Sequence, residues 1–346
     1  MDPLNMILVV GALGLFGGTT YVANQQQIMG TSGTMLRALL YGVLGLMVGF
    51  SFTILQYSLV DVSGGQEPAS SRPFAVDGLA GSLHFAATLA AGYFCLRVIN
   101  SEVLRRRLQG WLGRTASFNP ESPVHLTAFV LMVMMLSLTL GQLILSGGVS
   151  GLAQTYETQG VSLRDVVFNQ VVWLMFALLG VGLFLRRTPA QAAERLGLRF
   201  PATADIVWGV GIGLAAFGLI IVFGLLSVAL FSPEQLEAQN AASQQIARAF
   251  GTLPAALVMS GLVAVGEEVL FRGALQPVFG IPVTSIFFVL LHVQYALSPA
   301  TLALLIVTLM FAELRRRFST TSAFIAHFIY NFVQLALASF AISLGV

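Results

Sequence analysis

The sequence predicts an all-α polytopic membrane protein with about ten transmembrane helices. Three observations predict it. The 346-residue chain is 56% hydrophobic and only 9% charged, with a mean hydropathy of +0.85, whereas a soluble domain carries roughly 25% charged residues. Apolar runs of the length that crosses a bilayer, about 20 residues, recur along the whole chain. The basic residues, all of them arginine, gather in alternate loops, as the positive-inside rule requires.

The runs lie near residues 4–23, 36–59, 78–99, 125–146, 166–185, 203–231, 252–272, 281–297, 300–314 and 320–343. The ninth is the shortest. The first follows Met1-Asp2-Pro3, without the basic region of a secretory signal, and reads as a retained span. Arg97, Arg105, Arg106, Arg107 and Arg114 follow the third run. Arg186, Arg187, Arg195 and Arg199 follow the fifth, and Arg315, Arg316 and Arg317 precede the tenth. The opposite loops hold Arg72, Arg164 and Arg248, with Glu67, Glu157, Glu234 and Glu237 among them. This asymmetry places the arginine-rich loops in the cytoplasm and both termini outside it.

Two regions are expected. Residues 1–146 hold about four spans with few polar residues inside them, and have no assigned role beyond contact with a partner. Residues 147–165, rich in Gly, Ser, Thr and Gln, form a linker to the second region, 166–346. His84 and His125 read as packed or interfacial histidines, because no carboxylate or second His accompanies either at helical spacing. Gly42, Gly45, Gly49, Gly180 and Gly182 read as points of close helix packing. The polar loop 232–250 suggests an interfacial helix with Leu236 and Ile246 as its apolar contacts. Cys95, the single cysteine, excludes an intramolecular disulfide. No nucleotide fingerprint, Cys-x-x-Cys or basic stretch suited to nucleic acid is present.

The chemistry lies after residue 252. Gly266-Glu267-Glu268-Val269-Leu270-Phe271-Arg272 puts three charges within six positions of an apolar run, each costing at least ~2.5–3.5 kcal/mol to insert. Glu268 precedes Arg272 by four, the order that suits an ion pair on one helix face. Glu267 is about 100° away around the helix and is left to face the bundle. Phe288 and His292 share a face of the next run, and His327 and Asn331 share one in the last. At 1.5 Å per residue, Glu267, His292, His327 and Asn331 all reach a depth of roughly 14–20 Å. A carboxylate and an imidazole can hold and deprotonate a water, while a second imidazole and an amide donate to a developing oxyanion. The competing readings are zinc held by Glu267, His292 and His327, a purely structural cluster, and a transporter with a proton relay. Against transport, no paired half-sequence symmetry is visible.

In this order and on successive runs, Glu-Glu-x-x-x-Arg, Phe-x-x-x-His and His-x-x-x-Asn resemble the CPBP family, the CAAX proteases and bacteriocin-processing enzymes. The motif region is 254–340. The lead-in from about residue 166, with Arg186-Arg187-Thr188-Pro189 and Glu194-Arg195-Leu196-Gly197-Leu198, is similar to that of bacterial members. Residues 1–146 lie outside the resemblance. It implies a CAAX-protease-like helical bundle in the C-terminal half, in a bacterial plasma membrane, with the site in the cytoplasmic half. It further implies an intramembrane endopeptidase acting on a membrane-associated protein or peptide. By the same resemblance, Glu267 activates water and His292 helps to hold it. His327 and Asn331 stabilise the oxyanion, and Glu268, Arg272 and Phe288 support them. No cofactor is required on this reading. The alternative is a non-enzymatic scaffold, immunity or partner-binding protein that keeps the same bundle.

Overall fold

The structure, a computed structural model, describes residues 3–30, 33–62, 77–113, 116–160, 162–230, 236, 244–245, 247–295 and 298–343. Met1, Asp2, Glu67, Arg72, Arg114, Glu234, Glu237 and Ile246, named above, lie outside the described residues, as does most of the loop 232–250. Among the described residues the chain forms thirteen α-helices. The first nine are α1 (Pro3–Met29), α2 (Thr34–Val62), α3 (Gly78–Asn100), α4 (Glu102–Leu112), α5 (Pro123–Leu145), α6 (Gly148–Gln159), α7 (Leu163–Val181), α8 (Pro189–Leu196) and α9 (Thr203–Leu230). Next comes α10 (Leu253–Glu267), which continues into a π-helical segment, Glu268–Leu275. The chain ends with α11 (Gln276–Leu291), a short 3₁₀ turn at Val293–Tyr295, α12 (Pro299–Arg317) and α13 (Thr320–Ser343).

Each of the ten apolar runs is helical, and seven stretches are long and apolar enough to cross a membrane. One of them, Leu253–Leu291, covers 39 residues and contains two of the expected spans. They are separated at Gly280, whose φ of 81° and ψ of 165° break the helix. The expected spans outside the seven are α1 and α12. The last turn of α12 carries Arg315, Arg316 and Arg317 behind Glu313, which shortens its apolar part.

The chain divides into two compact units. The first comprises residues 1–147 and 178–192. There α2 packs along α3 and α5, and α1 packs on α5 and α2. Asp77 caps α3 by accepting from Ala80 N, and Ser122 caps α5 ahead of Pro123. This is the expected chemistry for a helix start: a short side-chain oxygen takes an orphan N–H, and proline occupies a position where its missing N–H costs nothing. Buried His84 has a partner on each ring nitrogen, Ser51 Oγ at 2.9 Å on Nδ1 and the Ser137 carbonyl at 3.0 Å on Nε2. His125 Nδ1 accepts from Asn119 N. Both histidines therefore serve packing and chain reversal.

The glycine reading needs correction. Gly45, Gly49 and Gly180 have nothing within 4 Å of where a Cβ would stand, and Gly42 has only Leu15 at 4.0 Å. Gly182, in the turn after α7, combines a left-handed backbone of φ +81° with the close approach expected of it, since a Cβ there would stand 2.7 Å from Asn24 Oδ1 of α1. Close approaches in this unit also occur at Gly81 and Gly141, where a Cβ would lie 2.6 Å from Ser58 Cβ and 2.8 Å from Ile54 Cδ1. A run of glycines marks thin helix surface, but only a neighbour at the same level turns it into an interface.

The second unit comprises residues 148–177 and 193–346. It includes α6, which occupies much of the stretch expected to be a linker. Its core lies where α9, α12 and α13 meet, built on Ala216, Val307, Phe311, Leu314, Ala323 and Ala326. Gly209 and Gly213 of α9, four apart, let α13 approach. A Cβ on Gly213 would stand 2.6 Å from the Ala326 carbonyl, and one on Gly209 would stand 2.8 Å from Ile325 Cβ. At the end of this pair, fully buried Asp205 accepts from Ser319 Oγ at 2.7 Å, Ala202 N at 2.8 Å and Arg199 Nη2 at 3.0 Å. These bonds tie the start of α9 to the start of α13. Half of the apolar window in Leu253–Leu291 is buried, against 11% for α9. The α10–α11 stretch is thus the protein-enclosed element, and α9 keeps most of its surface for lipid.

Candidate active site

Thr252 caps α10, with Pro254 in its first turn, and the helix delivers Glu267 as its last residue. There the backbone changes to the π form over Glu268–Leu275, a rare geometry that recurs at functional sites. Every residue from Glu268 to Gly273 is buried, so this segment holds the carboxylates and Arg272 away from water.

Glu268 is fully buried and touches two cations or potential cations. Its Oε2 lies 3.2 Å from Arg272 Nε, one helical turn on. Its Oε1 lies 2.8 Å from His327 Nδ1, brought in by α13. Arg272 is 1% exposed, donates from Nη2 to Thr308 Oγ1 of α12 at 2.6 Å, and holds its guanidinium 4.7 Å from the Phe288 ring centroid. The aromatic face offers a second favourable contact for a cation that has lost its water. Phe311 flanks the same cluster, 5.4 Å from the His327 ring.

Glu267 lies on the other side of His327. Its Oε2 is 3.8 Å from His327 Nε2 and has no hydrogen-bond partner among the described residues, although it is buried. That separation is too long for a direct hydrogen bond, but it puts one oxygen atom within reach of both groups. His327 is therefore bracketed by two carboxylates, one on each ring nitrogen. The spacing of the motifs pairs Glu268 with Arg272 but gives no hint of its bond to His327.

The imidazole within 4.0 Å of Glu267 is His327. His292 ends α11 with a non-helical backbone, bonds through Nδ1 to the Phe288 carbonyl at 2.8 Å, and packs on the Phe288 ring at 4.3 Å. Phe288 thus carries Arg272 on one contact and His292 on another. Asn331, one turn beyond His327, is half-buried and has no hydrogen-bond partner among the described residues.

Three residues join the site from positions that the motifs do not mark. Thr308 holds Arg272, Gln276 Nε2 donates to the Ala312 carbonyl at 2.9 Å, and buried Gln170 of α7 lies against Gly266. The only sequence signal for each is a lone hydrogen-bonding side chain inside an apolar run. Zinc needs at least three protein ligands, and no group of three or more His, Cys, Asp or Glu among the described residues is placed to hold a metal ion.

Apolar spans around an enclosed acid–histidine–arginine cluster define an integral membrane protein with a buried polar site. Residues 249–333, which contain all three motifs, match the family model described as Rce1-like, type II CAAX prenyl endopeptidase Rce1-like. The match supports recognition of the CPBP family over that stretch and similarity to a CAAX-type endopeptidase. Searches of curated proteins and of solved structures found no match.

Proposed function

We propose that this protein is an intramembrane endopeptidase in which Glu267 is the general base. The observation that carries the proposal is the buried Glu267 carboxylate, whose Oε2 has no hydrogen-bond partner among the described residues and lies 3.8 Å from His327 Nε2. Glu268, by contrast, is hydrogen-bonded to His327 through Oε1 and ion-paired with Arg272 through Oε2, and an unpaired buried polar atom costs about 1–3 kcal/mol.

The charge count supports the role of His327. Glu267, Glu268 and Arg272 together leave one negative charge, and a proton on His327 brings the buried set to neutrality. His327 then donates from Nδ1 to Glu268 and keeps Nε2–H for the substrate. A water beside Glu267 gives its proton to Glu267 as it attacks the peptide carbonyl. Negative charge develops on the carbonyl oxygen, and His327 and Asn331 are the proposed donors to it. The proton held by Glu267 passes to the leaving amine. His292, whose Nδ1 is committed to Phe288, keeps Nε2 for orienting the water or the substrate. No step requires a metal.

The test is cleavage by purified protein in nanodiscs, using a membrane-peptide library with prenylated and unprenylated members. Glu267→Gln is expected to lower turnover by about 10²–10⁴-fold, the range for loss of a general base, while the protein still inserts. Unchanged turnover in a correctly inserted variant would remove Glu267 from the mechanism and favour the scaffold reading.

A further inference from the structure

The first unit contains none of these motifs, but one of its ends is built around arginine. Where α1 and α3 finish and α2 and α5 begin, the helices enclose a cavity of about 120 Å³. Its polar walls come from Gln26, Arg37, Arg105, Glu121 and Ser122. Arg105 is held in place by three carbonyls: Nε donates to Pro120 O at 2.7 Å, and Nη1 to Val98 O and Ile99 O at 3.1 and 2.9 Å. Those bonds leave Nη2 uncommitted among the described residues. Arg37 is exposed, and its guanidinium makes no ion pair or hydrogen bond among the described residues. Glu121, the one acid in the wall, is 70% exposed and pairs instead with Arg106 at 3.3 Å. The cavity therefore presents two guanidinium groups, while its own carboxylate is turned to a third outside it.

A second observation indicates the setting. Beside the cavity, α4 buries Leu108 and exposes Val103, Trp111 and Arg107. Val103, Arg107 and Trp111 are four apart and share one face. A short helix that offers an aromatic, an aliphatic and a cation on one face suits the boundary between headgroups and acyl chains. The cavity takes Arg105 of this same helix as part of its wall. Arginine forks match phosphate oxygens geometrically and stay charged at any pH, and the amino ends of α2 and α5 add partial positive charge.

We propose that the Arg37–Arg105 cavity binds a phosphate group, carried by an anionic phospholipid headgroup at the membrane surface. The same chemistry would accept free phosphate, and the experiment separates the two sources. The full-length protein is reconstituted in nanodiscs of phosphatidylglycerol or of phosphatidylcholine, and retained lipid is measured by native mass spectrometry. In a third arm, inorganic phosphate is titrated against protein in phosphatidylcholine and read as thermal stabilisation. Arg37→Gln removes no hydrogen bond or ion pair among the described residues, and Arg107→Gln is the control on the same surface outside the cavity.

The expected result is selective retention of phosphatidylglycerol, weakened about tenfold by Arg37→Gln, as for one lost charge-assisted bond, and unchanged by Arg107→Gln. Phosphate stabilisation that Arg37→Gln abolishes would support the cavity with a free anion as its occupant. Equal retention of both lipids with no response to phosphate would overturn the proposal. So would an equal loss in Arg107→Gln, which would assign retention to the basic surface as a whole.

Discussion

The roles of Glu267 and Glu268 diverge although they are neighbours with identical side chains. Glu268 meets a cation or imidazole on each oxygen, Arg272 at 3.2 Å and His327 at 2.8 Å, whereas Glu267 has His327 alone, at 3.8 Å. The 100° between successive helical residues makes that division readable from sequence, as does the four-residue spacing to Arg272. The partner on α13 was not readable, because spacing along one helix says nothing about how the next is rotated against it. The same gap hid Thr308, which looks like any threonine in an apolar run. Thr308→Val is expected to leave Arg272 Nη2 without its 2.6 Å acceptor. The predicted cost is about 1–3 kcal/mol, as for a buried charged group that loses a partner. The check is unfolding of the solubilised protein alongside turnover; Thr308→Ser, which keeps the hydroxyl, should restore both.

Between elements, the second unit is constrained by the approach of α9 to the backbone of α13. Gly213→Ala would press a methyl group to 2.6 Å from the Ala326 carbonyl, and backbone cannot yield as a flexible side chain can. The expected destabilisation is about 1–3 kcal/mol, as for overpacking elsewhere. Because Ala326 precedes His327, turnover should fall as well. Gly211, on the same helix, has nothing within 4 Å of a Cβ, so Gly211→Ala should be neutral or gain up to about 1 kcal/mol from helix propensity. Thermal unfolding of the pair decides whether close packing or helix propensity governs α9. The existence of these helices was plain from their hydrophobic runs, but the interface glycines were not, since clustering in sequence drew attention to Gly42, Gly45 and Gly49 instead. The π-helical turn was also hidden: Glu268–Leu275 has no composition that distinguishes it from an α-helix.

For the whole molecule, hydropathy and arginine placement were enough to give a polytopic helical membrane protein, and three short motifs led to the family match over residues 249–333. The division into units was harder, because residues 178–192 group with the first unit while 148–177 group with the second. Sequence order alone cannot show such interleaving. The lack of a three-ligand group among the described residues leads to a prediction at this scale. Turnover should persist, within about twofold, after exhaustive chelation, because a metal held by fewer than three protein ligands would be stripped readily and no step of the proposed mechanism uses one. Activity lost on chelation and restored by zinc alone would reverse that reading. One further consequence follows from where the buried charges find their partners. Glu267, Glu268 and Arg272 precede α12 and α13 in the chain, yet Thr308 and His327 belong to those last two helices. During synthesis the charged hairpin enters the bilayer before its neutralising and hydrogen-bonding partners exist. The two closing helices therefore complete the biogenesis of the site, and a ribosome that stalls before residue 327 would release a chain with an unmatched negative charge buried in lipid.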